Sequence, residues 1–408
     1  LNLGANIQQG DFQQRGEQGL FESVGFRLFN LAGSPTSKTS HVHFRVIDGA
    51  DERGATQYDG DFQGLYLAVE QLDGRFLDEH DMPDGNLYKM EGGTGEANNI
   101  GPAGPADKSD LNGFIAAYSS ATPPTEQWWR DNVDLEQYYA YRAMVEATHH
   151  WDIGFGKNYF YYRNPDTGKW SQHAWDLDLT WTTTYAPGCG DCEPFKTKLL
   201  SHPSLLMEYR NRLREIRDLL FNAEQVGQML DEHAAFADRP AGGASLIDAD
   251  RAMWDYNPLM VSSYINPSKA GHGRYYQSAS PQTYAGMVQK LKNYVATRST
   301  YIDNNLLTAN DEAAAPPRRT VSYTGPAGYP LNRLAFSATS FAPGSSGGAF
   351  AAIQWRVAEV TDPTAPAYDP AMPKMYEIAA AWESGELTAF QSTVNIPGNA
   401  IEAGHAYR

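Results

Sequence analysis

Between Trp151 and Trp181 the chain reads WDIGFGKNYFYYRNPDTGKWSQHAWDLDLTW, and this stretch leaves little freedom in how its surroundings can fold. The aromatic, alternating residues Tyr159, Phe160, Tyr161 and Tyr162, with the central turn Asn164-Pro165-Asp166-Thr167-Gly168, predict a β-hairpin. A hairpin returns its two ends to one place. Asp152 before it and Asp176 and Asp178 after it are therefore expected to meet, with Asn158 at the start of the first strand. Hard oxygen donors gathered in this way suit Mg²⁺ and, through it, a polyphosphate.

Charge narrows the chemistry further. The formal net charge is −17, which argues against a nucleic-acid partner, because affinity for a phosphate backbone comes mainly from Lys and Arg. An acidic chain that handles ATP needs Mg²⁺ and a few placed cations. No run of 18 or more apolar residues exists, so no membrane span is expected. With 408 residues, 41% of them hydrophobic, the chain can bury a sizeable core in two or three units.

Leu1 is not an initiator Met and no signal peptide follows it, so the chain reads as processed or excerpted, with further domains or chains expected before Leu1 and, because it ends in the first residues of a strand, after Arg408. Cys189 and Cys192 form a CGDC loop with no second Cys or His cluster nearby to complete a zinc site. A local disulfide in an exported protein is the preferred reading of the pair, and a redox-active CxxC the second.

Apolar spacing predicts helices over Gly19–Leu31, Asp134–His149, Ser204–Phe221, Ala223–Phe236 and Gln282–Leu306. Alternation predicts strands over His41–Ile47, Gly64–Glu70 and Asn86–Met90, the first two in one sheet. The Gly-rich run Gly92–Gly104 reads as a plain loop, and Arg210, Arg212, Arg214 and Arg217 as a solvated helix face. After the Pro-containing linker 311–319 the texture changes to short strand-like runs, Thr320–Tyr323, Ala349–Val357 and Met375–Ala381, at sandwich-like spacing. Residues His405–Arg408 read as one more strand.

The fold class expected is α+β, and here a resemblance enters. The segments LNLGANIQQGDFQQR, GLYLAVEQLDGRFL with GNLYKMEGG, WDIGFGKNYFYYRN, WSQHAWDLDLTW and ATRSTYIDNNL, in that order, resemble the spore coat protein H (CotH) kinase family of secreted or surface-associated atypical kinases. The resemblance implies a two-lobed kinase-like domain over 1–310, with a small-lobe remainder at 1–72 and a mainly helical large lobe at 73–310. The linker at 311–319 and a fibronectin- or immunoglobulin-like β-sandwich over 320–408 would follow.

The resemblance also implies roles. Asp152 is expected as the catalytic-loop base, with Asn158, Asp176 and Asp178 as metal ligands or their support, ATP and Mg²⁺ or Mn²⁺ as cofactors, and Ser or Thr of an exported or surface protein as acceptor. Glu70 and Gln71 resemble the segment joining the lobes, where adenine would bind, and Lys89 is the nearby cation for phosphate. Family members carry additional strands, with an Arg-Gly pattern and a Lys, before the region that LNLGANI resembles, and this sequence starts after them.

Two readings compete with a kinase. One is a structural or adhesive module of a large extracellular protein, with a degenerate kinase-like domain. The other is a calcium module built on Asp176-Leu177-Asp178, although the acids lack EF-hand spacing. His149 and His150 are expected to make a helix-terminal hydrogen bond and a surface contact. His41 and His43 are expected to be structural, and Trp128, Trp129, Trp151, Trp170, Trp175 and Trp181 to pack in the core.

Overall fold

A computed structural model describes residues 2–5, 17–49, 52, 55–56, 58–182, 193–258, 272–273, 275–307, 321–341 and 349–408. The chain is α+β: small antiparallel sheets sit against a helical body. Strand β1 (Asn2–Gly4) is followed by helix α1 (Leu20–Leu31), then β2 (Thr39–Arg45) and β3 (Phe62–Val69), and the three strands form a sheet in the order β1-β3-β2. Leu20, Phe21, Val24, Leu28 and Phe29 place one stripe of α1 in the core, and Gly33 at φ 83° lets the chain turn away just after the helix ends.

A short helix α2 (Gly74–Glu79) is capped by Asp73, whose side chain accepts from Arg75 N and Phe76 N. A second sheet begins with β4 (Asn86–Glu91) and β5 (Thr94–Asn99). Helices α3 (Ser109–Ser119), α4 (Glu126–Asn132) and α5 (Leu135–Thr148) follow, and then the hairpin strands β6 (Tyr159–Arg163) and β7 (Trp170–Ala174) complete the sheet in the order β5-β4-β6-β7. Its two faces are differently occupied. Tyr88, Met90, Tyr159 and Tyr161 join the main core, whereas Leu72, Phe76, Leu77, Leu87, Phe160 and Tyr162 form a smaller cluster under α2.

Helix α5 runs through the middle of the body, buried at every residue from Gln137 to Thr148. That includes a charged set. Arg142 pairs with Glu146 and, at 3.3 Å, with Glu193; Glu146 also takes Lys196 at 3.1 Å and Arg298 at 3.1 Å. Removing one member of such a set would strand buried charge, at a cost of about 3–5 kcal/mol. Helices α6 (Lys196–Leu199), α7 (Pro203–Leu219) and α8 (Ala223–Ala237), the two-rung hairpin β8 (Pro240–Ala241) and β9 (Ala244–Ser245), then α9 (Leu246–Trp254) and α10 (Tyr284–Tyr301) complete the body. Asp250 of α9 reaches back to the small sheet, accepting from Leu65 N at 2.7 Å.

Beyond it lies a β-rich region with two antiparallel sheets. One is ordered β10 (Val321–Tyr323), β11 (Leu334–Ala338), β14 (Thr393–Ile396), and the other β13 (Ala380–Glu383), β12 (Arg356–Val360), β15 (Ala406–Tyr407). It docks on the body. Tyr376 and Ile378 belong to the main core, Tyr376 Oη donates to Glu232 at 2.9 Å, and Arg408 Nη2 lies 2.6 Å from Glu224.

Several expectations need revision. Gly92–Gly104 contains strand β5, because Gly95 lets it lie over α3, where a Cβ would approach Leu111 Cδ2 to 2.2 Å. Arg212 and Arg217 do not form a solvated face: Arg212 donates to Ala32 O at 2.7 Å and Arg217 pairs with Asp303 at 2.9 Å. In the β-rich region the strands fall at Arg356–Val360 and Ala380–Glu383, displaced from the runs that the alternation picked out. Linker 311–319 lies outside the described residues.

Candidate active site at the base of the hairpin

Helix α5 ends on His149, whose left-handed backbone (φ 56°) turns the chain toward Asp152. The two histidines are not at the surface: both are 1% exposed. His149 Nδ1 bonds to the Thr182 carbonyl, and His150 Nε2 donates to the Asn158 carbonyl at 3.4 Å. Together with Trp181 N donating to Thr148 O at 2.7 Å, these bonds tie the segment after the hairpin to the end of the helix before it.

The hairpin closes as the turn residues predict, in the register Tyr159↔Ala174 through Arg163↔Trp170. One step beyond that register, Trp175 N donates to Asn158 O at 3.2 Å. Asn158 therefore forms the last rung of the ladder with Trp175, and Asp176 follows it directly. Asn158 and Asp176 have left-handed backbones, φ 63° and 57°, as does Trp181 at 60°. Asn and Asp tolerate this region better than a bulky residue does, and such a concentration of sparsely populated backbone is the pattern of functional sites.

Asp152 and Asn158 are joined directly. Asn158 Nδ2 donates to the Asp152 carbonyl at 2.8 Å and to its Oδ2 at 3.0 Å, which leaves Asn158 Oδ1 without a hydrogen-bond partner among the described residues. Lys157, which the sequence reading passed over, places Nζ 3.0 Å from Asp152 Oδ1. The signal was there in Gly156-Lys157-Asn158, a cation next to the proposed metal ligand. The loop is braced from the second sheet, where Gly93 N donates to Gly156 O at 3.0 Å.

Helix α1 braces the other side. Gly25 lies close against Leu177: a Cβ would come 3.0 Å from Leu177 Cδ1, a tight contact. Trp181 Nε1 donates to Phe21 O at 3.2 Å, and Thr36 Oγ1 to Ala174 O at 2.6 Å. Leu177 and Leu179 are buried, whereas Asp176 and Asp178, beside and between them, are half-buried on a segment that turns at Asp178–Leu179. Both also make interactions within the chain.

The remaining sequence candidates lie at different distances from this centre. Lys89 sits on β4 opposite Phe160 of β6, two residues along from Asn158. Glu70 and Gln71 stand elsewhere, at the end of β3. Glu70 N donates to Lys38 O, its carbonyl accepts from Ser37 Oγ at 2.9 Å, and its carboxylate meets His80 at 3.1 Å. Burial and these partners act on the Glu70 carboxyl in opposite directions, and its pKa falls. Gln71 accepts from Asn2 Nδ2 at 2.7 Å. A cleft of about 400 Å³ opens beside both, lined also by Lys38, Arg75 and Phe76 but not by the hairpin acids.

Among the described residues no three His, Cys, Asp or Glu side chains gather as a ready metal cage. The donors at the hairpin base still fit Mg²⁺, an ion that keeps several waters and needs only one or two carboxylates beside phosphate oxygens. Cys189 and Cys192 lie outside the described residues, and among those described no helix is long and apolar enough to cross a membrane. A family model described as CotH kinase protein matches residues 20–302, and no curated protein matches the chain.

Proposed function

Because the chain belongs to the CotH kinase family, we propose that it is an ATP- and Mg²⁺-dependent kinase that phosphorylates Ser or Thr on exported or surface proteins. The observation that carries this reading is the bonded pair Asp152 and Asn158, held by the Trp175–Asn158 rung beside Asp176. Phosphoryl transfer asks a protein for positioned charge more than for covalent chemistry, and positioned charge is what this hairpin base offers.

In this reading each residue takes a role that its contacts support. Asp152 accepts the proton of the incoming hydroxyl, and its bond to the Asn158 amide nitrogen fixes the direction in which the carboxylate faces. Asn158 Oδ1 and Asp176 would hold Mg²⁺, with Asp178 as a further ligand or support; the ion neutralises charge on the β- and γ-phosphates when bound. Lys157 and Lys89 supply cations from the loop and from β4. Since both backbone polar groups of Glu70 are engaged, the adenine-facing role in the joining segment passes to Gln71.

In this reading 1–72 is the small-lobe remainder, 73–310 the large lobe, and 320–408 a fibronectin- or immunoglobulin-like sandwich of an extracellular chain. The layout supports it: a three-stranded sheet with one long helix, a joining segment, then a helical body carrying the acidic hairpin. Incubation with γ-labelled ATP, Mg²⁺ or Mn²⁺ and a mixed protein acceptor tests it. Label on Ser or Thr that disappears in Asp176→Ala is the expected result. Absence of any nucleotide-dependent thermal shift at millimolar ATP sinks the kinase reading and favours the adhesive module.

A further inference from the structure

His41 lies on β2 of the small sheet and His233 on α8 of the helical body, and the fold brings their rings to 5.2 Å between centroids. Each ring has one nitrogen committed. His41 Nε2 bonds to the Gln18 carbonyl at 3.0 Å, and since a carbonyl can only accept, the proton sits on Nε2 and the Nδ1 lone pair is left over. His233 Nδ1 pairs with Ser23 Oγ at 3.3 Å, while its Nε2 is buried with no hydrogen-bond partner. Both rings line a cavity of about 810 Å³ between α1, β2 and α8, together with Ser23, Met229, Glu232 and Phe236.

We infer that His41 and His233 form a two-histidine site for a borderline transition ion of the Zn²⁺ or Ni²⁺ class, with its remaining coordination positions open to the cavity. Two imidazoles on one tetrahedral ion, at about 2.0–2.1 Å per bond, put their centroids on the order of 5 Å apart. The spacing seen here matches that. The committed nitrogens complete the pattern, because a ligating histidine ordinarily gives its other nitrogen to a carbonyl or other polar group that fixes tautomer and ring orientation. Burial lowers the pKa of both rings, His233 to about 3, so both are neutral and able to ligate near pH 7.

Glu232 does not close the site. Its Oε2 is held by Arg27 at 2.7 Å and by Tyr376 Oη at 2.9 Å, and among the described residues no three His, Cys, Asp or Glu side chains gather around one point, so water or a ligand entering from the cavity fills the open positions. An ion there would staple the small sheet to the helical body. It is a different place from the hairpin acids, and it needs no nucleotide.

Calorimetric titration of the tag-free full chain, stripped with EDTA, with Ni²⁺ and Zn²⁺ tests the site. One ion per chain is expected, weakened by at least about tenfold in His41→Ala and in His233→Ala, unchanged in Asp176→Ala and not displaced by excess Mg²⁺. Melting curves in EDTA establish that each variant folds. Should the alanine variants fail to fold, Cu²⁺ resonance spectra of the parent chain decide, because coupling to two imidazole nitrogens is expected. No binding by the parent up to millimolar ion, binding indifferent to both substitutions, or a spectrum without nitrogen coupling overturns the inference.

Discussion

Gly93 and Gly156 meet backbone to backbone: the Gly93 amide donates to the Gly156 carbonyl at 3.0 Å, and a Cβ on Gly156 would stand 2.7 Å from Gly93 Cα. The contact presses the β4–β5 turn against the loop that carries Asp152. Gly156 also has φ 69°, which a side chain would strain.

Gly156→Ala should therefore displace that loop without dismantling the core. A shift of about 1 Å at a reacting group can lower kcat about 10²-fold. Phosphotransfer assays alongside thermal melts would separate the two effects: a large fall in kcat with a modest drop in Tm is expected, and an unchanged kcat would show that the contact does not position the loop.

Asp152→Asn keeps the shape of the side chain but cannot take up the hydroxyl proton. Loss of a general base lowers rate by about 10²–10⁴-fold. The Mg²⁺- and ATP-dependent thermal shift should survive in this variant and vanish in Asp176→Ala. Retention of full activity in Asp152→Asn would remove Asp152 from the role of base.

Burial sets a pH dependence of stability with two opposed parts. His173 and His233 have pKa values lowered to about 4 and about 3. The native state refuses protons that the unfolded chain binds near pH 6.5, so their contribution is present above that pH and is lost as pH falls toward 3. Asp250 is raised to about 6 by burial. Its contribution is present below the unfolded value of 3.8 and is lost as pH rises through about 6. Melting temperatures across pH 4–8 should show both: an acid limb that moves in His173→Gln, and relative to the parent a more favourable effect of Asp250→Asn at pH 7.5 than at pH 4.5. An Asp250→Asn effect that is the same at both pH values would contradict the assignment.

Tyr376 ties the β-rich region to α1 and α8. The Arg27 guanidinium lies 5.0 Å from its ring centroid, and its hydroxyl donates to Glu232. Tyr376→Ala should cost about 3–5 kcal/mol as a buried aromatic truncation, and Tyr376→Phe about 1 kcal/mol as a lost hydrogen bond. Urea unfolding followed by tryptophan fluorescence gives both numbers, and equal costs for the two variants would refute the packing role.

How much of this was legible in the sequence depended on how local each cause was. The hairpin followed from one turn and two short runs, and the structure shows it, extended by Trp175 N donating to Asn158 O. Helix α5 was found from its spacing, yet it is buried all round, so its tyrosines and Arg142 gave no hint of an exposed side. Strand β5, reading TGEANN, has little strand propensity and exists because β4 offers it a partner. Arg212 and Arg217 looked solvated because their partners, Ala32 and Asp303, are distant in sequence. His41 was weighed against His43 on its own strand, while its neighbour in space is His233 on a helix far along the chain.

The seating of Tyr376 and Ile378 in the main core also sets an order of events during synthesis. Helix α1 is made long before the aromatic ring that stacks on its Arg27, because Tyr376 lies far along the chain. Domains generally form as units, N-terminal first, as the chain emerges. Here α1 keeps an unfilled seat until the β-rich region has been made, so consolidation of the core around it waits on residues far along the chain.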